Sequence, residues 1–166
     1  MKRFISILLS LTVIALATNV VLAQSKAAPG FEKLKSLVGE WQGQSPEGPV
    51  TVSYQLVSGG HSVMETIAPG TDKSMVTVYH LNGDKLMMTH YCAVGNQPRM
   101  SAPVPAGEIK NLNFTFVDAT NMAKPADAHM HSLAMNFQDK DHMTQVWTYR
   151  QDGKDMPMTF TLERKK

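Results

Sequence analysis

Along this chain the spacing of apolar residues changes period near residue 40. Before that point Phe31, Leu34 and Val38 fall at i, i+3 and i+7, with Gly39 placed to end a helix, and the spacing predicts one short helix. From Glu40 onward, short runs alternate between apolar and polar residues and are separated by turn-forming residues, as expected of an antiparallel sheet with one buried face. Val50, Val52, Tyr54 and Leu56 alternate with Thr51, Ser53 and Gln55, and Gly59-Gly60 then lets the chain turn. A second arm runs from His61 to Ile67 and closes at Pro69-Gly70-Thr71-Asp72. Met75 to His80 and Lys85 to Cys92 flank Asn82-Gly83, a strong hairpin signal. Gln97 to Ala102 ends at Pro103 and Pro105, and Leu112, Phe114 and Phe116 alternate with Asn111, Asn113 and Thr115. Beyond Lys124-Pro125 come His129 to Phe137, His142 to Arg150 and Met156 to Glu163, the last two joined by Asp152-Gly153. About nine or ten strands and a single helix exclude helical bundles and parallel α/β folds, which need helical crossovers. A sheet of so many one-faced strands must close into a barrel or split into a sandwich to hide its apolar face and its edges.

The first 23 residues have another character. Met1-Lys2-Arg3 leads into an apolar stretch from Phe4 to Leu16 and then into Val21-Leu22-Ala23, the three-part layout of a secretory signal peptide with cleavage expected between Ala23 and Gln24. Thr18 and Asn19 interrupt the run, whereas a membrane anchor needs about 20 continuous apolar residues. No Cys follows the expected cleavage site, so the lipoprotein attachment pattern is missing. The expectation is a protein exported to the periplasm or the extracellular space, with no membrane anchor after cleavage. Residues 24–29 are read as a flexible leader and residues 30–166 as one domain.

Cleavage also changes the charge. Removing Lys2 and Arg3 takes 16 basic residues down to 14, equal to the 14 acidic ones, so a nucleic-acid partner finds no concentrated basic face. The tail Arg164-Lys165-Lys166 reads as a solvated, frayed end. A single cysteine, Cys92, rules out an internal disulfide, so stability has to come from packing. Twelve Met residues suit an irregular core or an adaptable binding surface.

Two stretches carry a family likeness. Leu37-Val38-Gly39-Glu40-Trp41-Gln42-Gly43, a short helix running into a strand through Gly-x-Trp, resembles the opening of calycin barrels such as lipocalins, fatty-acid-binding proteins and nitrobindins. The segment from Tyr79-His80-Leu81-Asn82-Gly83-Asp84 through Thr89-His90-Tyr91-Cys92 to Gly95-Asn96-Gln97-Pro98-Arg99-Met100 is similar to a signature of uncharacterised secreted bacterial lipocalin-like domains. The resemblance implies a closed or nearly closed up-and-down antiparallel β-barrel, with Trp41 packing across its closed end and an interior suited to a small, largely apolar molecule. Nitrobindin-like barrels hold heme through a histidine near the C-terminus. Here the last histidine is His142, so heme is not favoured.

Candidate chemistry centres on one strand. His90 and Cys92 share a face with Leu86 and Met88, which would place an imidazole and a thiol inside the barrel. His129 and His131 form a second i, i+2 pair beside Leu133, Met135 and Phe137, and four such ligands could hold zinc. The spacing matches no four-ligand pattern, so zinc is not favoured either, and histidines satisfied by hydrogen bonds at a cavity wall are expected instead. Whether His80 shares the face of His90 depends on the length of the loop at Asn82-Gly83. Arg99 either points inward to hold a carboxylate or lies at the rim paired with an acid. Side chains at i and i+2 on a strand stand about 7 Å apart, which argues against a nucleophile and base formed by His90 and Cys92 alone. The expected function is binding of a small hydrophobic or amphipathic ligand, with His90, Arg99, Cys92, Met88 and His131 as candidate binding residues and no cofactor. A metal- or thiol-dependent enzyme using His90 and Cys92, and a solidly packed envelope interaction protein, are the alternatives. Neither the ligand nor the oligomeric state is legible in the sequence.

Overall fold

A computed structural model describes residues 25–166. The segment expected to be a signal peptide, with its expected cleavage site, lies outside these residues. One helix, α1 (Ala28–Lys35), is followed by ten strands: β1 (Gly39–Ser45), β2 (Gly48–Val57), β3 (Ser62–Ile67), β4 (Met75–Asn82), β5 (Lys85–Tyr91), β6 (Gln97–Pro103), β7 (Asn111–Thr120), β8 (His129–Phe137), β9 (His142–Gln151) and β10 (Lys154–Arg164). Each strand pairs antiparallel with its chain neighbours, and β1 pairs with β10 to close the sheet into a barrel. Closure settles the choice between barrel and sandwich: the one-faced strands hide their edges by joining end to end.

The alternation read from the chain sets which side chains turn inward. Val52 and Tyr54, Val63 and Ile67, Leu86 and Met88, Leu112 and Phe114, Leu133 and Met135, and Met143 and Trp147 are all buried, and together they form one apolar interior. Leu56, at the end of β2, departs from this pattern and is exposed. The hairpin between β4 and β5 turns through Gly83-Asp84, with Asn82 opposite Lys85, one residue later than the Asn-Gly pair suggests. Gly83 takes φ +59° in this turn. Thr77 is thereby set opposite His90, and His80 opposite Met87, on the outer face.

The helix begins ahead of its apolar spacing, at Ala28, because Pro29 in the first turn has no N–H to lose there and its φ is already helical. The residues before it are held in place: Ala27 is fully buried, Ser25 Oγ donates to the Gly83 carbonyl, and Lys26 N–H donates to Asp84. The helix ends at Lys35, so Val38 leaves the buried stripe and is exposed, while Phe31, Leu34 and Leu37 stay buried. Gly30 passes close to Leu86 and Val104, which seats α1 at the end of the barrel that carries the β4–β5 turn.

Trp41 is buried at this end. Its indole N–H donates to the Leu37 carbonyl at 2.8 Å, Tyr54 meets it edge-on at 6.4 Å, and the Arg164 guanidinium stacks 4.5 Å from its ring. Arg164 also donates to the carbonyls of Ser36 and Val38 at 2.8 and 2.9 Å and pairs with Asp141 at 3.3 Å. Contrary to the frayed tail expected of Arg164-Lys165-Lys166, this guanidinium is the clasp between the last strand, the end of the helix and the tryptophan. Its aliphatic stem and planar head can lie on an indole face in a way that a solvated lysine does not.

Closure of the barrel also depends on one small residue. A Cβ on Gly43, which sits opposite Leu162, would collide with the Thr161 carbonyl oxygen of β10. Gly43→Ala is expected to push β1 from β10 and to cost roughly 1–3 kcal/mol, measured by urea unfolding. The same change at solvent-facing Gly107, where no atom lies within 4 Å, tests whether the cost is steric. At that position φ is +81°, so only the smaller cost of a left-handed backbone is expected.

Candidate functional site

The site starts from polar residues in apolar phase. Glu65 stands between Val63 and Ile67 on β3, Thr77 on β4 and Gln145 between Met143 and Trp147 on β9, and all three are buried. Across the ladder Tyr54, Glu65, Thr77 and His90 are successive direct partners on β2, β3, β4 and β5, so the sheet itself aligns them in one inward-facing row.

The Glu65 carboxyl gathers the donors of this row. Tyr54 Oη donates to Oε1 at 2.7 Å and Tyr79 Oη to Oε2 at 2.6 Å. From the far wall, the Gln145 amide reaches across the interior and donates both to Glu65 Oε1 and to Tyr54 Oη, while Trp147 Nε1 donates to Gln145 Oε1 at 3.2 Å. Burial pushes the Glu65 carboxyl up; hydrogen bonds from Tyr79, Gln145, Tyr54 and Thr77 hold part of that rise back. Burial likewise drives both tyrosines well above their ordinary range, and the Glu65 charge adds to it, so both stay protonated donors.

His90 ends the row. Its Nδ1 lies 2.9 Å from Thr77 Oγ1, its ring packs 4.7 Å from the Trp147 ring, and its Nε2 has no hydrogen-bond partner among the described residues. Burial lowers its pKa to about 4, so the imidazole is neutral near pH 7.

Next to His90 the interior is hollow. A cavity of about 660 Å³ opens at the end of the barrel opposite α1, below the β1–β2 turn and the β3–β4 loop. His90, Trp147, Tyr149, Met130, Met158 and Phe160 line its wall, with Glu47 and Lys73 at the mouth, ion-paired at 2.7 Å. A second hollow, of about 440 Å³, lies on the outer face against exposed Gln42, Gln44 and Thr51.

The other residues singled out from the sequence go elsewhere. Met88 is fully buried between Tyr79 and Met100, on the packed side of His90. Cys92 sits in the β5–β6 turn, its N–H bonded to the Asn96 carbonyl, and burial pushes its thiol up, away from the nucleophilic thiolate. Arg99 stands on the outer face in a two-pronged pair with Asp118, with Nε 2.6 Å from Oδ1. Of its two readings, the pair with a neighbouring acid is therefore the one seen; Met100 and Pro98, its chain neighbours, take the buried positions.

His131 and His129 fall where β7 and β8 part. Their pairing ends at Thr115–Ser132, and β8 shifts register between Met130 and Ser132. In the opening, His129 Nε2 lies 3.1 Å from His131 Nδ1 and Phe116 stacks on His131 at 5.3 Å. The bulge turns Met130, rather than His131, to the cavity. Among the described residues, no three His, Cys, Asp or Glu side chains converge on a point where a metal could sit.

Comparison with known proteins adds no identity: no family model matches the chain, and no curated protein matches it significantly. The fold and the cavity define the class, a closed ten-stranded antiparallel barrel with one packed end and one hollow end.

The depressed His90 pKa fixes a pH dependence. Between its ordinary 6.5 and about 4, the unfolded chain holds a proton on this ring that the folded chain does not, so stability falls as pH drops through that window. Raised Glu65 acts in the opposite sense, its contribution being lost as pH rises through its folded pKa. The unfolding free energy of wild type relative to His90→Phe, in which the ring no longer titrates, is expected to drop by roughly 3 kcal/mol from pH 7 to pH 4 in urea titrations.

Proposed function

We propose that the protein is an exported calycin-like barrel, of the lipocalin-like kind that Gly39-Glu40-Trp41 resembles, and that it binds a small hydrophobic or amphipathic molecule in the open end of the barrel. Export rests on the three-part N-terminal pattern ending at Ala23. The observation that carries the binding role is the cavity itself: about 660 Å³, apolar over most of its wall, with one buried polar side chain, His90, built into it. Pockets for small molecules hold roughly 300–1,000 Å³ and combine apolar walls with a few placed polar groups.

The composition of the wall suits such a ligand. Met75, Met130 and Met158 are unbranched and polarizable, so they adjust to an irregular guest, while Trp147, Tyr149 and Phe160 offer rigid aromatic surface. A solidly packed scaffold would have filled this end as it fills the other. The thiol chemistry of the enzyme alternative is poorly served by a Cys92 that burial keeps protonated.

The purified protein is expected to carry a lipophilic molecule detectable by mass spectrometry and to take up the uncharged fluorophore N-phenyl-1-naphthylamine, with quenching of Trp147 fluorescence. Met130→Trp, which fills the cavity from its wall, should weaken uptake by about tenfold or more, equivalent to about 1.4 kcal/mol, without lowering the melting temperature. Absence of both a bound lipophile and fluorophore uptake would refute the binding role.

A further inference from the structure

Resting on the binding role above, we infer that the cavity selects a lipophilic amine, a molecule whose hydrocarbon body fills the hollow end of the barrel and whose ammonium group stays at the mouth beside Asp72 and Glu47. The first step is the charge of the lining. Of the residues that border the cavity, Glu47 and Asp72 are acids and Lys73 is the one lysine or arginine. All three stand on the β1–β2 turn and the β3–β4 loop, and no charged side chain lines the wall below them. The Lys73 ammonium is already engaged, its Nζ 2.7 Å from Glu47 Oε2, and Asp72 precedes it in the chain. Among the described residues the Asp72 carboxylate takes part in no ion pair. Arg150, which follows Tyr149 on β9, is occupied too, with Nε and Nη2 at 2.6 and 2.8 Å from the two oxygens of Asp155. An incoming carboxylate thus finds Lys73 taken and an unpaired acid next to it, whereas an incoming ammonium finds that acid ready to receive it.

The uncharged polar groups of the wall favour the same choice. Ser45 Oγ and Thr71 Oγ1 give their protons to the carbonyls of Gly48 and Ala68 at 3.0 and 2.9 Å, and Trp147 Nε1 gives its own to Gln145. None of the three has hydrogen left for a ligand carboxylate, carbonyl or ether. Each hydroxyl oxygen accepts one backbone N–H, from Glu47 and Lys73 respectively, and keeps a second lone pair for an N–H donor. Trp147, Tyr149 and Phe160 add aromatic rings, whose faces attract an organic cation and not an anion.

Depth decides how the amine lies. Below the mouth Ile67, Met75, Met130 and Met158 line the wall, and an ammonium carried there would lose its water without gaining a partner. At the mouth the Lys73 and Glu47 side chains are 72% and 71% exposed, so a charged head keeps its hydration while the apolar body leaves water. Attraction at so open a rim is weakened by salt, which makes its origin measurable.

Four probes with one apolar body separate the outcomes by calorimetry on wild-type protein at pH 7: 6-phenylhexylamine, 6-phenylhexanol, 6-phenylhexanoate and hexylbenzene. The amine is expected to bind about fivefold tighter than the alcohol and about tenfold tighter than the carboxylate at low salt. In about 0.5 M sodium chloride, where charges act over only about 4 Å, the preference over the alcohol should shrink to about twofold. Asp72→Asn is expected to reduce the amine-to-alcohol ratio to a similar value, and Lys73→Gln, which releases Glu47, to raise it. Alcohol or carboxylate binding as tightly as the amine would overturn the inference while leaving the cavity a ligand site, and so would an amine preference unchanged by both salt and Asp72→Asn. If hexylbenzene and the other three all fail to bind, the binding role itself falls. The comparison of probes and its salt dependence use only wild type, so they stand even if a variant does not fold.

Discussion

The buried carboxyl of Glu65 is the constraint around which the interior is arranged. A carboxyl group withdrawn from water is costly unless every lone pair finds a donor, and here the donors come from three strands. Tyr54 belongs to β2, Tyr79 to β4, and Gln145 arrives from β9 on the far side of the barrel. The network is thus a crossbeam. It holds opposite walls at a set separation, which hydrophobic packing, being non-directional, does not do by itself.

This crossbeam divides the barrel into two unlike halves. On the α1 side Trp41, Phe114, Met88 and Met100 fill the lumen, and Arg164 ties Trp41 to the end of the helix. On the other side the inward residues leave a hollow of about 660 Å³. His90 lies at the boundary, its Nδ1 2.9 Å from Thr77 Oγ1 in the polar row and its ring in the wall of the hollow. A side chain so placed joins the polar row to the wall of the open half.

Much of the architecture was legible in the chain because it follows from local rules. Period-two alternation from Val50 to Glu163 requires a one-faced sheet, and the absence of helical crossovers requires antiparallel neighbours. His90 could be placed on an inward face by the same parity. The polar row was also partly visible: Glu65 and Gln145 interrupt apolar phase in strands whose other inward residues are hydrophobic, and that interruption is the signal that a buried network leaves in a sequence. Arg99 was harder, since its face depends on how β6 is registered, and the shift beside Met100 comes from its pairing with β7.

The sequence by itself determined an all-β domain, its strands and the inward parity of His90, because turn residues and alternating side chains act over neighbouring positions. Only the tertiary structure decided that Gln145 meets Glu65, that Arg164 clasps Trp41, that the β8 bulge points Met130 rather than His131 at the hollow, and that one end of the barrel stays open. Those outcomes turn on closure. When β1 joins β10, residues 80 or more positions apart are brought within hydrogen-bond reach, and no local pattern encodes the volume left between them.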